Sequence, residues 1–125
     1  MIKKIAFIGH RIQDMDRAKK FYGELLGLEK TAEYEGKWCE FGTPDGKTIG
    51  LDSFSPEGTP PYMALETDDI EAEFARLREA GVPIVKEPWA NENAEGRTIC
   101  RMGYVIDPDG NPVMLHQIAD WREEG

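Results

Sequence analysis

The sequence predicts an α+β fold made of two copies of one strand–helix–strand–strand–strand unit, and three observations carry that prediction. A helix-capping aspartate recurs at Asp14 and Asp68, 54 positions apart. A helix-stopping glycine recurs at the same spacing, at Gly27 and Gly81. The turn tripeptide Pro-Asp-Gly recurs 64 positions on, with Pro44 matching Pro108. Self-similarity at a steady spacing marks repeated supersecondary units. The second copy is longer by 10 residues between helix and hairpin, and the polar segment after Trp89 can absorb them.

The elements follow in order. Ile5 to Ile12 is rich in β-formers and reads as the first strand. Asp14 offers a cap, and Ala18, Phe21, Tyr22, Leu25 and Leu26 follow at helical spacing. Gly27 stands where a helix ends in the left-handed conformation. Leu28 to Tyr34 reads as a strand, Glu35-Gly36 as a turn, and Lys37 to Thr43 as the next strand. Pro44-Asp45-Gly46 is hairpin chemistry, because proline pre-sets φ and glycine takes the positive φ. Lys47 to Phe54 is the fourth strand. Ser55 to Pro61, with three prolines and one glycine, reads as a linker.

The pattern then restarts. Tyr62 to Thr67 is a strand, and Asp68 or Asp69 caps a helix whose apolar face carries Ile70, Phe74 and Leu77, with Gly81 at its end. Val82 to Glu87 is a strand, and Trp89 to Gly96 an irregular polar loop. Thr98 to Ile106 is a strand, Pro108-Asp109-Gly110 a turn, and Pro112 to Ile118 the last strand. The tail is expected to be mobile unless Trp121 pins it. This reading makes residues 1–125 a single domain, with module one at 1–54, a linker at 55–61, module two at 62–118 and a tail at 119–125.

Composition agrees with one globular domain. At 125 residues the chain is long enough to bury a core without disulfides or a structural metal. Its 40% hydrophobic and 31% charged residues suit a soluble protein. No apolar run approaches the ~20 residues of a membrane helix. The start, Met1-Ile2-Lys3-Lys4-Ile5, lacks the long apolar stretch of a signal peptide, so a cytoplasmic protein is expected. Cys39 and Cys100 form no metal or redox spacing motif and are read as free thiols. The net charge of −9 argues against nucleic-acid and anionic-membrane partners, and is compatible with a cationic ligand or with solubility alone.

Three stretches carry a resemblance. IAFIGHRIQDMDRAKKFYGELLGLEK, residues 5–30, runs strand, aspartate, a helix bearing Phe-Tyr, then Leu-Gly. ALETDDIEAEFARLREAGVPI supplies a second strand and helix. CRMGYVIDPDGNPVMLHQ, residues 100–117, closes with Asp-Pro-Asp-Gly-Asn and an alternating strand. In that order, over nearly the whole chain, they resemble the vicinal-oxygen-chelate superfamily of glyoxalases, bleomycin-resistance proteins and extradiol dioxygenases. The resemblance implies two βαβββ modules whose curled mixed sheets surround a cavity. It also implies a homodimer, since members of this length often pair.

Strand alternation sorts side chains by face. Ile8 and Ile12 suit the helix-packed side of the first strand, which leaves Phe7, Gly9 and Arg11 toward the cavity. Met63, Leu65 and Thr67 read as core-facing, leaving Tyr62, Ala64 and Glu66 inward. Val113 and Leu115 pack on a helix, so Met114 and His116 point inward. The 64-residue offset maps Gly50 onto Met114, Asp52 onto His116 and Glu40 onto Tyr104. Trp38, Glu40, Cys100, Met102 and Tyr104 are therefore taken as inward. A one-residue slip of either hairpin would reverse these assignments.

Metal-dependent members of the resembling family place up to four inward His, Glu or Gln ligands, two per module. Matched residue by residue, those positions are Phe7, Gly50, Tyr62 and Met114, a set that suits neither zinc nor magnesium. No cofactor is therefore expected. A displaced divalent site drawn from Glu40, Asp52, Glu66 and His116 is the disfavoured alternative. The expected function is metal-independent binding of a small apolar or cationic molecule, as in drug-sequestering relatives. Phe7, Arg11, Trp38, Tyr62, Met102, Tyr104 and Met114 would form the ligand surface.

The alternative is an isomerase, lyase or dioxygenase-like enzyme, using the displaced metal or Glu40 and His116 as acid and base. Whether the chain is an enzyme stays open at this point. Glu40 reads equally as a base or as an ion-pair partner of Arg11. His116 reads equally as a proton carrier or as a polar residue at a strand end. His10 reads as a satisfied structural histidine, and Trp89 as a lid or a contact between subunits. No Cys-His or Ser-His-Asp pairing is expected from spacing.

Overall fold

The computed structural model describes residues 1–122. The chain divides into two compact units. The first is Phe7–Tyr62, and the second joins Met1–Ala6 to Met63 and the residues after it. The fold class is α+β, and each unit contains one βαβββ repeat.

In chain order the strands are β1 (Ile2–Arg11), β2 (Glu29–Tyr34), β3 (Trp38–Gly42), β4 (Thr48–Asp52), β5 (Tyr62–Thr67), β6 (Ile84–Glu92), β7 (Thr98–Ile106) and β8 (Pro112–Ile118). The helices are α1 (Met15–Lys19) and α2 (Ile70–Glu79). In the first unit β1 pairs parallel with β4, β4 antiparallel with β3, and β3 antiparallel with β2. The second unit repeats that scheme: β5 pairs parallel with β8, β8 antiparallel with β7, and β7 antiparallel with β6. The parallel pairs are possible because a helix supplies each crossover, whereas antiparallel neighbours need only tight turns.

Two hairpins set the registers, and they match atom for atom at a 64-residue offset. In the first, Thr43 N donates to Lys47 O and Gly46 N to Thr43 O, both at 2.9 Å. In the second, Asp107 N donates to Asn111 O at 2.9 Å and Gly110 N to Asp107 O at 3.0 Å. Gly46 and Gly110 hold φ of 86° and 89°, the left-handed region that a side chain disfavours. The helix ends also correspond, since Gly27 and Gly81 have φ of 76° and 86°. The helix starts do not keep the expected 54-residue spacing. Asp14 caps α1 by accepting from Arg17 N, but Asp69 rather than Asp68 caps α2, accepting from Ala72 N.

Each helix covers one face of its own unit's sheet. In the first unit Ala18, Met15 and Tyr22 pack on Ile12, Leu28, Cys39, Phe41, Ile49 and Leu51. In the second, Ile70, Phe74 and Leu77 pack on Leu65, Ile84, Val105, Val113 and Leu115. Those lists settle the hairpin registers. Cys39 and Phe41 face the helix, so Trp38 and Glu40 face the other way, and Val105 does the same for Tyr104.

Several expectations need correction. The first helix is not one regular α-helix, because Lys20–Leu25 forms a π-helical segment in which Leu26 N reaches back to Phe21 O at 2.9 Å. Gly23 sits there against the Phe41 ring, 3.2 Å from where its Cβ would be. The widened turn breaks the apolar stripe: Tyr22 packs inward, while Phe21, Leu25 and Leu26 are exposed. Ile8 and Met63 were expected in the core but are 44% and 45% exposed. Ile8 and Met63 lie outside the helix-packed clusters, which take in Ile12, just after β1, and Leu65 of β5.

Residues 89–92 are not loop. β6 continues through Pro88 and Trp89 to Glu92, with Trp89 opposite Met102 and Asn91 opposite Cys100. Register shifts between Lys86 and Trp89 and between Asn91 and Glu92 absorb the extra length, and proline is tolerated where a strand is bulged. The start of the tail is held: Trp121 Nε1 donates to Thr98 O at 2.8 Å and Arg122 to Ile99 O at 2.9 Å. Residues 123–125 of the tail lie outside the described residues.

Among the described residues no helix is long and apolar enough to cross a membrane. The second unit's core gives a direct test. Gly103 lies under Phe74, and a Cβ there would stand 2.5 Å from the ring. Gly103→Ala is expected to lower unfolding free energy by about 1–3 kcal/mol through overpacking. The measurement is a denaturant titration, and an unchanged midpoint would show that Phe74 does not pack on this glycine.

Candidate functional site

In the first unit the helix-free sheet face is organised by two glycines. Register places Gly9 of β1 beside Gly50 of β4, and Gly50 beside Glu40 of β3. Neither glycine projects a side chain, so aromatic rings lie directly on the backbone. The Tyr62 ring covers Gly9 and the six-membered ring of Trp38 covers Gly50, so any Cβ at either position would collide with them. Phe7 stands edge-on to both rings, at 5.2 Å from Trp38 and 6.5 Å from Tyr62. Phe54 stacks on the outer side of Trp38 at 6.2 Å and 24°. Edge-on and offset arrangements place ring edges against ring faces and add to the area buried.

Every polar handle of this cluster is used. Trp38 Nε1 donates to Glu40 Oε2 at 2.7 Å. The Tyr62 hydroxyl donates to Asp52 Oδ2 at 3.0 Å, and Ser55 N donates to Asp52 Oδ1 at 2.8 Å. Asp52 is fully buried, and these donors satisfy a charge that would otherwise be costly there. Arg11 does not pair with Glu40. Its Nε donates to Ser55 O at 2.8 Å and ties the linker back to β1.

The second unit presents a different set on its helix-free face. Ala64 pairs with Met114 and Glu66 with His116, while Tyr104 lies opposite Met114 and Met102 opposite His116. Met114, Met102 and Cys100 are buried. Tyr104 contacts Trp89 at 5.9 Å, and the Lys86 ammonium lies 4.1 Å from the Trp89 ring centroid. His116 Nδ1 is 2.7 Å from Glu66 Oε1, and Glu66 Oε2 accepts from Ile118 N at 2.8 Å. Burial opposes a charge on His116, but hydrogen bonds to Cys100 and Glu66 outweigh it and push its pKa up to about 9. Burial likewise opposes charge on Glu66, yet the His116 and Ile118 bonds hold it below the usual carboxylate range.

The residues proposed from sequence thus fall into two groups. Phe7, Arg11, Trp38, Glu40, Asp52 and Tyr62 lie in the first unit, and Glu66, Met102, Tyr104, Met114 and His116 in the second. Glu40 and His116 have separate partners, Trp38 and Glu66 respectively. Spacing did not suggest the Cys100–His116 contact. The hairpin turn implied it: closing Asp107 on Asn111 pairs Met102 with His116 and Cys100 with Ile118, which makes Cys100 and His116 diagonal neighbours. His10, expected to be satisfied, keeps a buried Nδ1 without a hydrogen-bond partner.

A divalent ion does not fit the family's ligand positions in this chain. At Gly50 the indole of Trp38 occupies the space a ligand side chain would need, and Phe7 offers no donor atom. The Tyr62 oxygen is engaged with Asp52. The displaced set does not gather either, since among the described residues no three His, Cys, Asp or Glu side chains are grouped to hold a metal ion.

Comparison with known proteins agrees with this fold. The chain belongs to the Glyoxalase/Bleomycin resistance protein/Dioxygenase superfamily, whose model matches residues 4–115. It is 28% identical over 114 residues to a lactoylglutathione lyase of Haemophilus influenzae, covering 80% of this chain and 82% of that protein. A superfamily member from Vibrio splendidus 12B01 superposes with a TM-score of 0.69 at 20% identity, covering 95% of this chain and 100% of that one. A variant of Streptomyces coelicolor methylmalonyl-CoA epimerase, in complex with 2-nitronate-propionyl-CoA, superposes at 0.65 and 20% identity, covering 95% and 99%. At those identities the two structures share the fold.

The His116–Glu66 pair makes stability depend on pH. His116 has its pKa raised from 6.5 to about 9 on folding. Its contribution is therefore fully present below pH 6.5 and is lost as the pH rises through about 9. The melting temperature is expected to fall across that window, and His116→Gln to flatten the fall. An equal slope in both proteins would contradict the charged pair.

Proposed function

We propose that this chain binds a small apolar or cationic molecule without a metal ion, through the aromatic face of the first unit. The observation that carries the reading is the placement of Trp38 over Gly50. A ring takes the position of a ligand side chain, so the face offers π surface and two carboxylates where metal-dependent relatives would offer donors. Phe54 is the exposed ring, stacked on Trp38, while Trp38, Phe7 and Tyr62 are buried beneath it, so a ligand would stack by parting them, with Glu40 at the polar edge. Aromatic faces backed by acid groups favour a desolvated organic cation over an anion.

A second reading, an enzyme of the superfamily, is favoured by one observation. Glu66 orients His116, and a raised pKa keeps that imidazole protonated at neutral pH, ready to donate a proton. Relatives named as a lyase and an epimerase fit this reading. In both readings the protein acts as a cytoplasmic homodimer with modules at 1–54 and 62–118. Two free cysteines suit a reducing compartment. Light scattering on the eluting peak is expected to give twice the chain mass, and a monomeric mass would remove the dimer.

The binding reading is tested by calorimetry with tetraphenylphosphonium as the cationic probe. Trp38→Ala is expected to weaken binding about tenfold, the size of a lost desolvated cation–aromatic contact. Dialysis against a chelator is expected to leave binding unchanged. Unchanged affinity in the variant, or a stoichiometric divalent metal surviving dialysis, would reject the reading.

A further inference from the structure

One ring of the first unit's aromatic cluster can be displaced by a single side-chain movement. Trp38, Phe7 and Tyr62 are only 9%, 6% and 3% exposed, whereas Phe54 is 50% exposed. Trp38 lies on the backbone of Gly50, and Phe7 stands edge-on beside it. Its outer side carries Phe54, stacked at 6.2 Å and 24°. Phe54 therefore stands between the solvent and the indole. A separation of 6.2 Å is near the long end of the roughly 4.5–7 Å over which aromatic pairs attract, so little contact is lost when this pair opens.

The backbone on either side of Phe54 is held. Ser53 N donates to Lys37 O at 3.1 Å. Ser55 N donates to Asp52 Oδ1, and Ser55 O accepts from Arg11 Nε, both at 2.8 Å. Asp52 is fully buried and also accepts from the Tyr62 hydroxyl, which ties this anchor to the cluster. With both neighbours fixed, Phe54 moves by rotation of its side chain, a motion that exposed residues make in picoseconds to nanoseconds. Two rings that part in this way leave a slot one ring thick. Such a slot admits a flat ring system, whereas a bulky cation can offer it only one arm.

The polar group beside the slot selects charge. Glu40 Oε2 accepts from Trp38 Nε1 at 2.7 Å, which sets the carboxylate at the nitrogen edge of the indole. That donor is neutral, so the carboxylate keeps its charge there, and one N–H leaves it further acceptor capacity. Arg11 lies beside Asp52 in the strand register and is turned to Ser55 O. A cationic ring laid on Trp38 with its charge toward Glu40 gains an aromatic and an ionic contact together.

We propose that the ligand of the first unit is a flat aromatic cation that inserts between Phe54 and Trp38 with its charge toward Glu40, and that Phe54 swings aside on a fixed backbone to admit it and then forms the second wall. This inference rests on the binding reading above and adds the shape of the ligand and the part played by Phe54.

The test is calorimetry of the full chain at pH 8 with N-methylquinolinium, a flat permanent cation, and with quinoline, its neutral near-isostere. N-methylquinolinium is expected to bind at least about tenfold tighter than quinoline. Glu40→Gln is expected to remove that preference, since its amide oxygen still accepts from Trp38. Phe54→Ala is expected to weaken N-methylquinolinium about tenfold, the size of one lost stacking wall, and Phe54→Trp to keep or improve binding. Phe54 is exposed, so its replacement leaves the buried cluster in place. A mere cover would behave in the opposite way, because removing it would tighten binding. Tighter or unchanged affinity in Phe54→Ala, or equal affinity for quinoline and its methylated cation, would overturn the proposal. So would tetraphenylphosphonium binding without N-methylquinolinium binding. Affinity that falls in Trp38→Ala but not in Phe54→Ala rejects the slot alone and leaves the aromatic face as the ligand surface. Affinity unchanged in both variants, or no binding of either cation, rejects both readings.

Discussion

The backbone hydrogen bonds that close the two Pro-Asp-Gly hairpins are the constraint on which the rest of the structure depends. Thr43 closes on Lys47 in one unit and Asp107 on Asn111 in the other, each with a left-handed glycine at the bend. A strand has a side-chain period of two, so these closures decide which face every residue of β3, β4, β7 and β8 occupies. A slip of one residue would send Trp38 and Glu40 into the helix-packed core and bring Cys39 and Phe41 to the helix-free face. It would also part Cys100 from His116. Both glycine turns thus set the composition of the helix-free faces.

From one architecture the two units have drawn different chemistry. The 64-residue offset pairs Gly50 with Met114, Asp52 with His116 and Glu40 with Tyr104. In the first unit the glycine admits an indole against the backbone, and carboxylates anchor the ring nitrogen and the tyrosine hydroxyl. In the second a methionine fills the equivalent place, and an imidazole stands between a carboxylate and a thiol. The change follows from volume and polarity at a few inward positions. The hydrogen-bonded frame and the helix-packed cores are alike in the two units, which is how a superfamily fold can host unrelated functions.

The buried acids are affordable only because the chain provides donors for them. Asp52 is satisfied by a backbone N–H and a phenol, and Glu66 by a backbone N–H and an imidazole. Each carboxylate ties separate segments together, Asp52 joining the end of β4 to the linker and β5, and Glu66 joining β5 to β8. Removing either donor would leave a charge in a poorly solvated place, so these groups are structural as well as chemical. His10 is the exception, with a buried ring nitrogen left unmatched on the first strand.

The amino-acid sequence alone determined the repeat and the order of elements, and it proposed a face for each inward residue, while the hairpin registers were settled by the helix-packed cores. Those features arise from local rules: glycines at positive φ, aspartates at helix starts, and alternation along a strand. The loss of donor atoms at Phe7 and Gly50 was equally legible, because it concerns residue identity and not arrangement. The tertiary structure decided what these residues do with one another. It showed Trp38 filling the space above Gly50, Arg11 turned to Ser55 instead of Glu40, and Glu66, His116 and Cys100 brought into line from residues 34 and 50 positions apart. It also carried β6 past Pro88 by bulging, and spoiled the stripe of α1 with a π turn over Phe41. Local rules are silent on such outcomes, because each depends on which partner from a distant strand reaches a position first and fills it.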